Sequence, residues 1–283
     1  MKQRIITALF GIAFVLVWLA LRDTIVFNII IAAAIVMAMV EALRSTKIVT
    51  NKPLLCVSLL YSATVPFFQL FRFYPVGVAI TGLYILTMLI IMLVQHDKLD
   101  LRMVSYTFMM SAFIPFSLSS ILYINSLPTF KPDSFSGNDG FMFVLLALLG
   151  AWIADTGAYF AGRFFGKHKL APHISPKKTI EGSIGGVALV IIVFVGVGLF
   201  WQFAMLREKG TVNFLWLIVY AVVVSICGMI GDLSFSLIKR EAGIKDFGKI
   251  MPGHGGMLDR IDSVILTAPC TLFFIQFVPI LTH

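Results

Sequence analysis

Nine stretches of this chain are apolar over about 20 residues each, roughly 4–21, 24–42, 54–71, 76–94, 103–124, 141–162, 183–204, 213–238 and 262–281. At 1.5 Å of rise per residue, a helical run of that length crosses the ~30 Å hydrocarbon layer of a membrane. A segment inside lipid must satisfy its backbone hydrogen bonds internally, and the strict alternation of a barrel strand is absent, which leaves the α-helix. Composition agrees, with 59% of residues apolar and only 13% charged; soluble domains sit nearer half and a quarter. The expected fold is all-α, a polytopic membrane protein with about nine transmembrane helices.

Two units are expected. Residues 1–140 carry helices one to five and an outer loop; residues 141–283 carry helices six to nine, with cytosolic loops 163–182 and 239–261. The opening Met-Lys-Gln-Arg and the run behind it look like a secretion signal, but no small-x-small cleavage site follows, so this run is expected to stay as the first helix. Cys56, Cys227 and Cys270 all lie in apolar runs without CxxC spacing and read as buried, inert thiols.

Basic residues give the orientation. With nine spans, seventeen of the 22 Lys and Arg fall on the N-terminal side of the membrane and five on the other. Basic loops stay inside, so the N-terminus is expected in the cytoplasm. The same asymmetry accounts for most of the net charge of +8, with attraction to anionic headgroups a further contribution.

The acids are few, and their places carry the chemistry. Asp155 precedes Arg163 by eight residues and Asp232 precedes Lys239 by seven, which sinks each carboxylate ~10–12 Å into its span. An intramembrane acid costs several kcal/mol unless it meets a cation or faces a polar cavity, so both are candidate site residues. Asp259 and Asp262, three apart, share a helix face at the mouth of the last span. Helix N-termini favour acids in any case, but this pair stands beside Gly253, Gly255 and Gly256, whose bare backbone can approach a ligand. Lys239, Arg240, Lys245 and Arg260 supply cations suited to phosphate oxygens. Asp246 is either a loop acid or a member of the site.

Loop 163–182 repeats the pattern with Lys177 and Lys178, stiffened by Pro172 and Pro176. His254 either donates to a phosphate or satisfies loop carbonyls; His168 and His173 read as ordinary loop residues. Carboxylates with cations and glycines select a hard ion, Mg²⁺, that carries phosphates. Zinc-type His/Cys spacing, a Ser-His-Asp pattern and the GxxxxGK[ST] loop are all absent. The expected reaction is therefore metal-assisted phosphoryl or nucleotidyl transfer at the cytosolic face, between a soluble substrate and a lipid. A transporter would predict interrupted spans in two related halves, and no such symmetry is present.

Residues 236–262, SLIKREAGIKDFGKIMPGHGGMLDRID, closely resemble the signature of the phosphatidate cytidylyltransferases, or CDP-diacylglycerol synthases. Ser236, Lys239, Arg240, Lys245, Asp246, Gly248, Pro252, His254, Gly255, Gly256, Asp259, Arg260 and Asp262 fall on it. Met251 stands where the pattern usually has another apolar residue. The stretch from Asp155 to Gly182 also looks like that family, whereas the first five spans match it only in general character.

The resemblance implies a polytopic enzyme that converts CTP and phosphatidic acid into CDP-diacylglycerol and pyrophosphate. It further implies a homodimer in the inner, cytoplasmic membrane among membrane lipids, with no nucleic-acid partner. Its metal centre would use Asp232 and Asp259, joined by Asp155 and Asp262, with Mg²⁺ essential and K⁺ as an optional second ion. Asp232, Asp259, Lys239, Arg240 and Asp246 would be catalytic. Lys177, Lys178, Lys245, His254, Gly255, Gly256 and Arg260 would bind substrate. A CTP-dependent lipid kinase is the nearest rival reading.

Overall fold

The computed structural model describes residues 21–70, 75–131, 135, 138–207, 210–248 and 255–283. Its helices are α1 (Ile25–Ser45), α2 (Lys52–Thr64, continued by a 3₁₀ turn Val65–Leu70), α3 (Pro75–Val94), α4 (Leu101–Asn125) and a short α5 (Leu127–Phe130). They are followed by α6 (Asp139–Phe165), α7 (Ile180–Phe200, continued by a wider turn Trp201–Leu206), α8 (Phe214–Glu241), a short α9 (Leu258–Ile261) and α10 (Val264–Phe277). Two small antiparallel ribbons complete the described chain. One pairs β1 (Lys169–Ala171) with β2 (Ser175–Thr179), the other β3 (Thr211–Val212) with β4 (Leu281–Thr282).

The fold is all-α, as composition demands, and among the described residues seven helices are long and apolar enough to cross a membrane. They coincide with the second to eighth expected spans. The first expected span falls almost wholly outside the described residues. The ninth differs from expectation: α10 has 14 residues, or ~21 Å of helix. The chain turns at Asp262 and Ser263 before α10 begins and becomes extended at Val278, so the helix stops four residues short of the expected end. This is a multi-pass membrane protein.

Local signals explain the boundaries. Asn51 accepts from the Leu54 N–H at 3.0 Å, and Thr179 accepts from the Gly182 N–H at 3.1 Å, capping α2 and α7. Gly243, at φ +66°, ends α8 in the left-handed conformation a glycine tolerates, while the Ile244 N–H returns to the Lys239 carbonyl at 2.9 Å.

Burial separates the helices. In α4, 67% of the spanning window is buried, against 11% in α3, so α4 is an interior helix and α3 faces outward along most of its surface. Helix α10 packs on α4, α6 and α8. Leu83, Ile192 and Phe273 remain exposed, as helices bathed in lipid allow.

Two close crossings place the functional side chains. A Cβ at Gly186 would stand 2.6 Å from the Ala154 carbonyl oxygen, so α6 and α7 meet backbone to backbone beside Asp155. A Cβ at Gly231 would stand 2.7 Å from the Asp262 carbonyl oxygen, so α8 passes just as tightly beside Asp232. The loops after α1, α3, α6 and α8 gather at one end of the bundle. There Asn51 donates to Gln95 at 2.6 Å, Tyr106 to the Ala42 carbonyl at 3.0 Å, and the Arg240 Nε to the Ile174 carbonyl at 3.3 Å.

Candidate active site

The charge-rich end is built around two lysine–aspartate groupings. In the first, Lys178, carried on β2, forms an ion pair with Asp232 Oδ2 on α8, and the Ser236 hydroxyl donates to Asp232 Oδ1 at 3.4 Å. In the second, Lys239 Nζ lies 2.8 Å from Asp259 Oδ1 and 3.8 Å from Asp262 Oδ2. Lys239 and Asp232 are seven residues apart on α8, two helical turns, so one helix face presents both groupings. Asp262 feels the charges of Asp232 and Asp155 as well as that of Lys239. The four aspartates thus lie at one end of the bundle, Asp259 joined to Asp262 through Lys239 and Asp155 and Asp232 close enough to act on Asp262.

Asp259 is held most firmly. Its side chain is 4% exposed; Oδ1 takes Lys239, and Oδ2 accepts the N–H groups of Phe247 at 2.8 Å and Gly256 at 3.0 Å. Lys239 also lies 5.5 Å from the ring centroid of Phe247, a cation–π contact. Gly255 has φ +84°, and a Cβ there would come within 3.2 Å of Asp259 Oδ2. A side chain at 255 would strain the backbone and crowd the carboxylate together.

Asp155, on α6, accepts from the Ser263 hydroxyl at 3.2 Å. With Tyr159, Lys177, Lys178, Thr179 and Ser225 it lines a cavity of about 190 Å³. The ribbon that delivers Lys177 and Lys178 is fixed by Glu181, whose carboxylate accepts the N–H groups of Lys167 at 3.0 Å and His168 at 3.2 Å and pairs with the His168 ring at 2.6 Å.

Other expected site residues are placed differently. Arg240 is exposed and reaches the ribbon rather than the aspartates. Lys245, Asp246 and Arg260 are exposed, while Gly256 is buried against its neighbours. His254 and Gly253 lie outside the described residues.

One participant was missed. Glu41 on α1 is 6% exposed, and its carboxylate accepts the N–H groups of Met257 at 3.0 Å and Leu258 at 2.8 Å. The sequence signal was weak: Glu41 is an acid within the apolar run 24–42 but only three residues before Arg44, so it lacks the depth that singled out Asp155 and Asp232.

The arrangement is a helical membrane protein with deep-set, lysine-compensated acids at one end and a small polar cavity beside them. The chain belongs to the cytidylyltransferase family, whose model matches residues 2–278. It is 46% identical over 132 residues to the phosphatidate cytidylyltransferase of Staphylococcus haemolyticus, an alignment covering 47% of this chain and 48% of that relative. The Staphylococcus saprophyticus protein of the same name is 41% identical over 165 residues, covering 58% of each chain. That of Haemophilus influenzae is 39% identical over 173 residues, covering 60% of this chain and 57% of the relative. The chain thus spans about half the length of the curated relatives it matches.

Proposed function

We propose that this protein is an Mg²⁺-dependent phosphatidate cytidylyltransferase. The observation that carries the reading is the bridge of Lys239 to Asp259 and Asp262, with Lys239 on the same helix as Asp232, the partner of Lys178, in a member of the cytidylyltransferase family. In the reaction, a phosphate oxygen of phosphatidate attacks the α-phosphorus of CTP. The new P–O–P linkage forms as the bond from the α-phosphorus to the oxygen bridging to the β-phosphate breaks, and pyrophosphate leaves with that electron pair.

The donor set fits a hard divalent ion. Among the described residues no group of three or more His, Cys, Asp or Glu side chains is placed to hold a metal ion; Mg²⁺ characteristically takes only one or two carboxylates together with substrate phosphates. Asp232, with Asp155 or Asp262 beside it, would supply those one or two carboxylates; Asp259, whose oxygens already take Lys239 and two N–H groups, is the fourth candidate. When bound, the ion would neutralise phosphate charge. K⁺ as a second ion belongs to the same proposal.

The chain's own groups have separable tasks. Lys178 and Lys239 compensate the acids and offer their charge to phosphate oxygens as these enter. Lys177, at the cavity, and the exposed Arg240, Lys245 and Arg260 draw in the triphosphate and stabilise the charge developing on the leaving group. Asp246 lies next to Lys245 in the chain, and His254 belongs to the same proposal. Gly255 and Gly256 keep the backbone close to Asp259. The seventeen basic residues expected on one side support a charge-rich end facing the cytosol, with the N-terminus on that side; the inner membrane and the homodimer are proposed from the family resemblance alone.

Product analysis tests the reading. Purified protein in phosphatidate-containing vesicles, given labelled CTP and Mg²⁺, should yield a cytidine-bearing lipid and pyrophosphate. With a lipid alcohol included in the same vesicles, formation of CDP and a lipid phosphate instead would assign the kinase reaction.

A further inference from the structure

The carboxylate of Glu41 comes from the first described helix yet sits inside the C-terminal signature. A Cβ at Gly248 would stand 2.1 Å from its Oε1, and one at Gly256 would stand 2.4 Å from its Oε2. Those two glycines therefore form a slot that any side chain would close. Three successive backbone N–H groups are divided between two acids: Gly256 donates to Asp259, while Met257 and Leu258 donate to Glu41. A buried carboxylate needs hydrogen bonds to its charged form, and two amide donors supply them here.

We infer that Glu41 is a positioning residue that fixes Phe247–Gly248 and Gly256–Leu258 and thereby sets Asp259 and its partner Lys239 for the nucleotide. The inference rests on the proposed reaction for its kinetic consequence, though not for the lock itself. The chain of contacts is short. Glu41 holds residues 257 and 258, the adjoining Gly256 N–H holds Asp259 Oδ2, and Asp259 Oδ1 holds Lys239. Helix α1 is in turn tied to α4 by the Tyr106 hydroxyl on the Ala42 carbonyl, so the lock is anchored in the helices that carry none of the signature.

Glu41→Gln keeps the shape and leaves one acceptor oxygen for two donors. Hydrogen–deuterium exchange on the full-length protein should show the amides of residues 256–258 exchanging about tenfold faster or more. The KM for CTP should rise about tenfold while that for phosphatidate stays within about twofold. Gly248→Ala, whose added methyl would meet atoms of Glu41, should reproduce both changes and serves if Glu41→Gln does not fold. Unchanged exchange at 256–258 overturns the lock whatever the activity. Faster exchange with equal effects on both KM values overturns its role toward the nucleotide. If the wild-type protein makes no cytidine-bearing lipid, the proposed reaction fails while the exchange result still decides the lock.

Discussion

The two ends of the bundle solve the problem of buried charge in different ways. At one end, Glu41, Asp155, Asp232, Asp259 and Asp262 interlock with Lys178, Lys239 and consecutive backbone amides. At the other, Asp139 is 2% exposed and is met by the Trp201 Nε1 at 3.2 Å and the His283 Nε2 at 2.6 Å, and Arg22 lies 5.2 Å from the ring centroid of Phe141. The second end holds the larger cavity, about 600 Å³, but lines it chiefly with apolar groups such as Val193, Val197, Phe200 and Met205. The smaller cavity carries Asp155, Lys177, Lys178, Thr179 and Ser225. Size does not mark the site; convergent charge and hydroxyl groups do. An acid held by a tryptophan and a histidine secures helix ends, whereas acids held by lysines keep cations close to where phosphates would arrive.

The comparison breaks first at the aspartates. Asp232→Asn should lower turnover roughly 10²-fold or more while the protein inserts and folds normally, whereas Asp139→Asn should leave turnover within about twofold. Initial rates in vesicles, normalised to folded protein, check this, and equal losses at the two ends would erase the distinction. Next comes stability. Lys239→Met strands two buried carboxylates and should cost about 3–5 kcal/mol, because removing one partner of a buried pair leaves an uncompensated charge. Unfolding in mild detergent measures it. Lys239→Met/Asp259→Asn should recover part of that loss.

Smaller effects sharpen the picture. Arg240→Ala removes an exposed hydrogen bond to the Ile174 carbonyl and should cost about 0.5–1.5 kcal/mol in ribbon stability, read as faster exchange over residues 169–179. Trp201→Phe deletes the indole donor to Asp139 and should lower stability by about 1–3 kcal/mol with unchanged turnover.

Much of this was legible in the sequence. Apolar run length gave the class and seven of the expected spans, because lipid leaves the backbone few alternatives. The depth of Asp155 and Asp232 marked them before any contact was known. The 27-residue signature located Lys239, Asp259 and Asp262 together, but not that Lys239 would be buried between the two acids; that depends on how closely α8 passes the α9–α10 turn at Gly231. Nor did spacing reveal the shortness of α10, since apolarity continues through residues 264–281 while helical structure ends at Phe277. Glu41 escaped because its partners lie more than 200 residues away and are backbone amides, which no side-chain pattern records.

The central claim is that the lysine-compensated acids form one site for a metal-bound triphosphate. Electron paramagnetic resonance of Mn²⁺, standing in for Mg²⁺, can be titrated with CTP into the wild-type protein, Asp232→Asn and Asp139→Asn. The account predicts CTP-dependent Mn²⁺ binding in the wild type and Asp139→Asn, weakened about tenfold or more in Asp232→Asn. Binding of equal strength in all three would contradict it.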